Sequence, residues 1–415
     1  MEPRIDRSDA TTSRPYDVAV VGGAGHVGAP LSVVLAEHGL RTLIYDLNRD
    51  AMHQLAHGAF PFVEDGGEDA LAKVLPTGRL GFTAEAADLR EIPYLVVTIG
   101  TPVDVFHNPV VHALTDCLDG LLPYLSDSQT IILRSTVFPG ATEFLDDYLK
   151  ARGKRCLVAY CPERVTQGQA IVEIQSLVQM VSGTSAEAEE SAARLFAAIT
   201  DKIVRMQPKE AEFAKLFCNA YRYIQFAVAN EFFMMADAAG LNYARIREQL
   251  MADYPRMRDL PGAGLTAGPC LYKDSMQLVA FAQNKLALAV SAVQVNEGMP
   301  GYIVSRLKSM YPLASMTVGI LGVAFKANSD DTRSSLSYKL KRMLTLHARQ
   351  VLTTDPFVTT DRELRPLDEV IRRSDVLVLC TPHAEYANLD VRGKPVFDIW
   401  DFLKTPAAVP REVPA

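Results

Sequence analysis

The segment YDVAVVGGAGHVGAPLSVVLAEHGLRTLIYDLN, residues 16–48, restricts the fold more than any other stretch of the chain. Asp17 to Val21 is a short β-branched run of the kind that forms a buried parallel strand. Gly23, Gly25 and Gly28 spell GxGxxG, a helical run follows to Glu37, and Gly39 stops it. A second strand, RTLIYD, ends on Asp46, 18 residues after Gly28. Strand, glycine loop, helix, strand and terminal acid in that order predict a dinucleotide-binding βαβ unit. Glycines let the backbone approach a pyrophosphate, and the helix N-terminus offers unpaired N–H groups and a positive dipole end. Asp46 would accept hydrogen bonds from a ribose diol and repel a 2′-phosphate, which favours NAD over NADP. Arg49 nearby is the residue that could weaken this preference.

A chain of 415 residues is too long for one core and implies two or three domains. Further strands are expected at 94–102, 129–136 and 155–164, each ending in polar or Gly/Pro residues, where an open α/β sheet places ligands. Thr101 and Thr136 at these ends either cap strands or meet the nicotinamide half. From about 206 to 251 the pattern is helical, and a second helical stretch is expected at about 275–310. Such helices between two α/β units suit an interdomain spine or a dimer interface. Lys215 and Asn219, four residues apart in this apolar stretch, share a helix face; they form a functional pair or a solvated edge. The C-terminal third repeats the first unit in outline. It lacks GxGxxG, and its loop carries Lys326, Asp330, Asp331 and Arg333. That loop either binds a phosphate-bearing ligand or is simply solvated.

The net charge of −7 argues against a nucleic-acid or anionic-membrane surface. The polar N-terminus has no signal-peptide core, and no apolar run reaches the roughly 18 residues of a membrane span, so a cytoplasmic protein is expected. Six cysteines (117, 156, 161, 218, 270 and 380) show no zinc spacing, and no metal is expected. Five lie in apolar contexts that suit buried thiols. Cys270, in PGAGLTAGPCLYKDSMQL, lies in a glycine-rich turn that opens a helix beside Lys273. Packing, metal ligation, a disulfide and nucleophilic chemistry are all open to it. A helix start and a nearby cation favour the thiolate. An oxidation that continues from aldehyde to acid needs such a nucleophile, because hydride must leave from a tetrahedral adduct.

The chain resembles the nucleotide-sugar 6-dehydrogenases, the family of the UDP-glucose and UDP-N-acetylhexosamine dehydrogenases. The resemblance spans about 17–400. It rests on VVGGAGHVGAPLS, YDLNRDAMHQLAHGAFPFVEDG, STVFPGAT, CPERVTQG, EAEFAKLFCNAYR, PGAGLTAGPCLYKD, GVAFKANSDDTRSS and TTDPFV. It implies an N-terminal Rossmann NAD domain (17–205), a central helical dimerisation domain carrying the cysteine loop (206–312) and a C-terminal Rossmann-like UDP-sugar domain (313–403). Residues 1–16 and 404–415 are expected to be disordered flanks. It further implies a homodimer that uses two NAD⁺ and one water to oxidise the C6 hydroxymethyl of a UDP-sugar to a carboxylate.

The resemblance assigns catalysis to Cys270, Lys215, Asp274, Glu163, Asn219 and Thr136, with Cys270 as nucleophile and Glu163 assisting thioester hydrolysis. It assigns the cofactor to Gly23, Gly25, His26, Val27, Gly28, Asp46, Arg49, Thr101, Thr136 and Arg333. The substrate falls to Glu163, Arg164, Lys215, Asn219, Arg256, Gly264, Phe325 and Lys326, with Arg256 reaching the neighbouring subunit's site. A two-electron hydroxyacid-type dehydrogenase and a non-catalytic nucleotide-binding protein are the competing expectations. The chain departs from the family at Ala267-Gly268-Pro269-Cys270, where Pro269 stiffens the turn. It departs again at FDIWDFL, which stands in place of an Asp-Gly-Arg type segment.

Overall fold

The structure, a computed structural model, describes residues 15–104, 110, 112–265, 268–283 and 285–403. The expectations for the extreme termini, and for Ala267 in the cysteine turn, lie outside these residues. The chain divides into two compact units. One runs to Thr101 and resumes over Val111–Glu212; the other combines Pro102–Val110 with Phe213 onward.

The first unit is built on eight strands: β1 Val18–Val21, β2 Thr42–Tyr45, β3 Leu80–Thr83, β4 Tyr94–Val97, β5 Thr130–Leu133, β6 Leu157–Tyr160, β7 Gln179–Gly183 and β8 Ile203–Arg205. Their order is β3-β2-β1-β4-β5-β6-β7-β8, and every pairing is parallel except β6 with β7. The sequence dictates this arrangement. All four residues of β1 and of β5 are buried, as β-branched runs covered on both faces should be. The helix Gly28–Glu37 buries nine of its ten residues, so it packs as an apolar cylinder against the sheet. Strand order reverses between β1 and β4, which is the switch point where doubly wound sheets take ligands.

The second unit holds a four-stranded parallel sheet, β9 Thr317–Leu321, β10 Gln350–Thr354, β11 Val376–Leu379 and β12 Val396–Asp398, in the order β10-β9-β11-β12. Loop 322–333 leaves the end of β9 as the glycine loop leaves β1. The cationic loop therefore sits at the corresponding switch point of the smaller sheet.

The expected helical stretch from 206 is two helices, Pro208–Ala238 and Tyr243–Met251. The first ends where Gly240 takes a φ of 70° and Leu241 N donates to Ala236 O at 2.8 Å, the closing bond of a glycine-terminated helix. Asn242 then caps the second helix by accepting from Arg245 N. Leu216, Ala220, Tyr223, Ala227 and Asn230 recur every three or four residues on the buried face of the long helix. The later stretch also divides, into Pro269–Phe281 and Ala287–Met310. Among the described residues no helix is long and apolar enough to cross a membrane.

Candidate active site

In the first unit the three motif glycines have separate reasons. A Cβ on Gly28 would lie 2.4 Å from Gly22 O and 2.6 Å from Gly23 Cα; one on Gly23 would lie 2.6 Å from Val20 O. These two glycines serve the turn and the close packing of helix on strand. A Cβ on Gly25 would meet only Gly22 O, at 3.5 Å, so that position faces open space. The space above Gly25 is what a pyrophosphate approaching the backbone requires. Val27 is the N-cap of the helix, and no side chain caps it. Asp46 accepts from Ala24 N and from Asn48 N, each at 2.9 Å, which fixes its carboxylate against the glycine loop. The residues present fit a dinucleotide.

The remaining cofactor candidates fall around this loop. His26 stacks on Phe62 with centroids 4.1 Å apart and planes 10° apart. Arg49 is exposed and lies 3.2 Å from Glu85. Thr101 donates its hydroxyl to Thr136 O at 2.5 Å, tying the loops after β4 and β5. Glu163, after β6, accepts from Val165 N at 2.8 Å, and Arg164 donates to Val178 O.

Behind Glu163 is a residue that sequence reasoning passed over. Arg134 is 2% exposed and donates to Cys161 O and Gln179 Oε1, with its guanidinium 5.1 Å from the Phe196 ring centroid. Burial pulls its pKa down, and Glu163 is the strongest charge acting in the opposite direction. The signal in the sequence was a charge inside the apolar run IILRST.

In the second unit Cys270 occupies the first turn of the helix Pro269–Phe281. It is the exposed cysteine among the six; Cys156, Cys161 and Cys380 are buried, whereas Cys117 and Cys218, expected to be buried, are only partly so. Pro269 stands at the first helical position, where its missing N–H removes no intrahelical bond. Gly268 holds φ 111°, and a Cβ there would come within 2.7 Å of the Phe325 ring. Phe325 thus packs directly on the turn that presents the thiol.

One helical turn beyond Cys270, Asp274 is fully buried and accepts from Asn219 Nδ2 at 2.5 Å. Its other oxygen lies 3.4 Å from Lys273 Nζ. Lys215, one turn before Asn219 on the long helix, is 4% exposed. Arg333 is held by Asp331, with Nη2 2.6 Å from Oδ2. That hydrogen bond chiefly raises its pKa, and the charge of Cys270 contributes in the same direction. Lys326 is half-buried in the same loop, and Arg256 is exposed beside Tyr254. Lys215, Asn219, Cys270, Asp274, Phe325 and Arg333 all belong to the second unit, in which Asn219 bonds Asp274 and Phe325 packs on the turn before Cys270.

Gly264 donates its N–H to Asn230 Oδ1 at 2.9 Å, and Asn230 in turn donates to Asn296. A Cβ on Gly264 would lie 2.2 Å from the ring of Trp400, the chain's single tryptophan. Trp400 donates to Cys380 O, and Asp398 accepts from the N–H groups of Trp400, Phe402 and Leu403. In FDIWDFL, then, an indole covers Gly264. Neither the buried asparagines nor this contact has a local sequence signature.

Three domain profiles of the UDP-glucose/GDP-mannose dehydrogenase family match the chain. They are the NAD binding domain at residues 16–200, the central domain at 209–298 and the UDP binding domain at 319–405. The UDP-N-acetyl-D-mannosamine dehydrogenase of Pyrococcus horikoshii is 27% identical, covering 94% of this chain and 96% of the relative. That of Methanocaldococcus jannaschii is 29% identical, covering 89% and 86%. The structure of a UDP-glucose dehydrogenase from Pyrobaculum islandicum superimposes with a TM-score of 0.87 at 26% identity, covering 96% of each chain. With a glycine loop shaped for a dinucleotide, a thiol on a helix start and all three domains matched in order, the chain belongs to the UDP-glucose/GDP-mannose dehydrogenase family and is an NAD-dependent UDP-sugar dehydrogenase.

Proposed function

We propose that this enzyme oxidises the C6 hydroxymethyl of a UDP-N-acetylhexosamine, UDP-N-acetyl-D-mannosamine first among them, to the carboxylate. The observation that carries the chemistry is the exposed Cys270 thiol on a helix start, one turn from the buried Asp274–Asn219 pair. The observation that carries the sugar is the likeness to two UDP-N-acetyl-D-mannosamine dehydrogenases. UDP-glucose is the second reading, favoured by the Pyrobaculum structure.

NAD⁺, when bound, takes up the hydride in each of the two oxidations; Gly25, the N-terminus of Gly28–Glu37 and Asp46 would hold it. At the first oxidation Lys215 stabilises negative charge on the C6 oxygen, while Asp274 or a water it holds accepts the hydroxyl proton. Cys270 Sγ then bonds to the aldehyde carbon, so the half-oxidised sugar stays attached. The resulting oxyanion collapses as the second hydride leaves, which gives a thioester. Water breaks the C–S bond, releasing the carboxylate and restoring the thiol. Glu163 assists this last step on the strength of the family resemblance. Lys326, Phe325, Gly264, Asn219 and Arg164 contact the nucleotide sugar. His26, Val27, Gly23, Gly28, Arg49, Thr101, Thr136 and Arg333 complete the cofactor side.

We further infer a homodimer. Phe217, Tyr221, Val228, Phe232 and Met235 lie exposed along one stripe of the long helix, at steps of four, seven, four and three residues. A second copy is the occupant such a stripe fits, and Arg256 would reach across it. Six free thiols suit a reducing cytoplasm. The decisive experiment counts NADH formed per sugar for UDP-N-acetylmannosamine, UDP-N-acetylglucosamine and UDP-glucose. Two NADH per UDP-N-acetylmannosamine is the expected result. One NADH, or turnover of UDP-glucose alone, would refute the proposal.

A further inference from the structure

Loop 322–333 packs Phe325 against the cysteine turn, and bonds from Arg333 to Asp331 brace it from within. One further bond closes it on itself, and other anchors come from elsewhere in the second unit. Ala324 O accepts from the Thr381 hydroxyl at 2.7 Å, and Phe325 N donates to Asp331 O at 2.9 Å. At its tip Asn328 takes a φ of 52°, a left-handed conformation that side-chain-bearing residues seldom hold without support.

That support is His383, which is 0% exposed. Asn328 N donates to His383 Nδ1 at 3.0 Å, and His383 Nε2 lies 3.0 Å from Asp355 Oδ2. Ala384 N returns a bond to Asn328 Oδ1, also at 3.0 Å. The geometry fixes the tautomer: Nδ1 must keep its lone pair for the loop N–H, so the ring proton sits on Nε2 and is donated to Asp355. Asp355 is itself immobile, since it also accepts from Val323, Ala324, Phe357 and Val358 N–H groups. Phe357 and Tyr386 flank the ring, with centroids 5.1 and 5.6 Å away.

We propose that His383 is a positioning residue for the reaction: through its Nδ1 lone pair it latches Asn328, and with it the Lys326–Arg333 loop, in the shape that meets the UDP-sugar. This rests on the reading of Phe325 and Lys326 as substrate contacts. A fully buried imidazole needs a partner at each ring nitrogen; here the partner at Nδ1 is the backbone of a loop on the ligand side of the sheet, so the ring that satisfies itself also holds that loop.

Two substitutions separate the bonds. In His383→Asn the side-chain Oδ1 takes the place of Nδ1 and keeps the acceptor for Asn328 N–H. In His383→Gln the Nε2 amide keeps the donor to Asp355 and the acceptor at Nδ1 is lost. The measurements are UDP affinity by calorimetry, the KM values for UDP-sugar and NAD, and amide hydrogen exchange across 326–333 in the unliganded enzyme. His383→Gln is expected to weaken UDP binding and raise the UDP-sugar KM by about tenfold, with faster loop exchange and an unchanged NAD KM. His383→Asn should stay within about threefold of the parent. If His383→Gln does not fold, exchange of the Asn328 amide in the parent enzyme gives the second reading: strong protection at this exposed residue is expected, and exchange as fast as an unbonded loop amide would overturn the proposal. Unchanged exchange together with unchanged UDP affinity would overturn the proposal. Faster exchange without weaker UDP binding would overturn it differently: the latch would stand, but the loop it holds would not be the UDP site.

Discussion

Asn219 Nδ2 donates to Asp274 Oδ2 at 2.5 Å, and the two residues are only 6% and 0% exposed. The bond joins the long helix to the helix Pro269–Phe281, which carries Cys270 in its first turn. A buried carboxylate must be compensated, and here an amide and the nearby Lys273 ammonium share that task. The same bond fixes the direction of the other carboxylate lone pairs, which is what a group that receives a proton from substrate requires.

Asn219→Ala should therefore lower kcat without touching the dinucleotide site. Removing a buried hydrogen bond to a charged group costs about 1.5–3 kcal/mol, or roughly a 10- to 150-fold loss of turnover if it acts at the chemical step. Steady-state kinetics with NAD titrations at saturating UDP-sugar will measure it. Equal losses in kcat and in NAD affinity would show that the pair supports the fold instead of the reaction.

Cys270→Ser replaces the thiol by a poor nucleophile that still occupies the first turn of its helix. The NADH yield per UDP-sugar should fall from two towards one in a single turnover, with steady-state turnover reduced at least about a thousandfold, in keeping with removal of a covalent nucleophile. Rapid-quench counting of NADH against product is the measurement. A variant that still delivers two equivalents at an unimpaired rate would exclude the thioester route.

The motif glycines should separate cofactor binding from stability. Gly25→Ala adds a methyl to open space, so the protein should fold normally while the KM for NAD rises by about tenfold or more. Gly28→Ala forces a methyl within 2.4 Å of Gly22 O and should lower the melting temperature by several degrees, roughly 1–3 kcal/mol. Thermal melts with and without NAD will distinguish the two. Similar melts for both would mean that the Gly25 space is not the cofactor's.

What the sequence revealed is what is encoded locally. GxGxxG with Asp46 names a ligand because strand, loop, helix and strand are contiguous, and Gly268-Pro269 marks a helix start for Cys270 for the same reason. The long helix was legible from its apolar spacing, but its break at Gly240 was absorbed into one stretch because periodicity resumes at Tyr243. Arg134 shows in the sequence only as a charge inside an apolar run, with nothing to place it near Glu163; Asn230 with Asn296 under Gly264, Trp400 over the same glycine and His383 under Asn328 were not legible at all. Each meets partners 27 or more residues away, and neither spacing nor composition records such a meeting.

The cysteines supply a prediction about pH. Burial pushes the Cys117 thiol up to about 11 and the Cys161 and Cys380 thiols up to about 12. In the unfolded chain these thiols ionise near pH ~8.5. Between those limits the folded state binds more protons than the unfolded one, so stability falls as pH rises. The contribution is intact below about pH 8.5 and is lost by about pH 12. Urea midpoints measured from pH 8 to 10.5 should therefore drop more steeply for the parent than for a Cys161→Ala, Cys380→Ala double variant, even though the variant starts lower because of its cavities. Iodoacetamide at pH 8 gives an independent reading by peptide mass spectrometry: the exposed Cys270 should be alkylated first, with Cys161 and Cys380 protected until the protein unfolds. Parallel slopes for parent and variant, or early labelling of Cys161, would mean that these thiols are not held protonated by the fold.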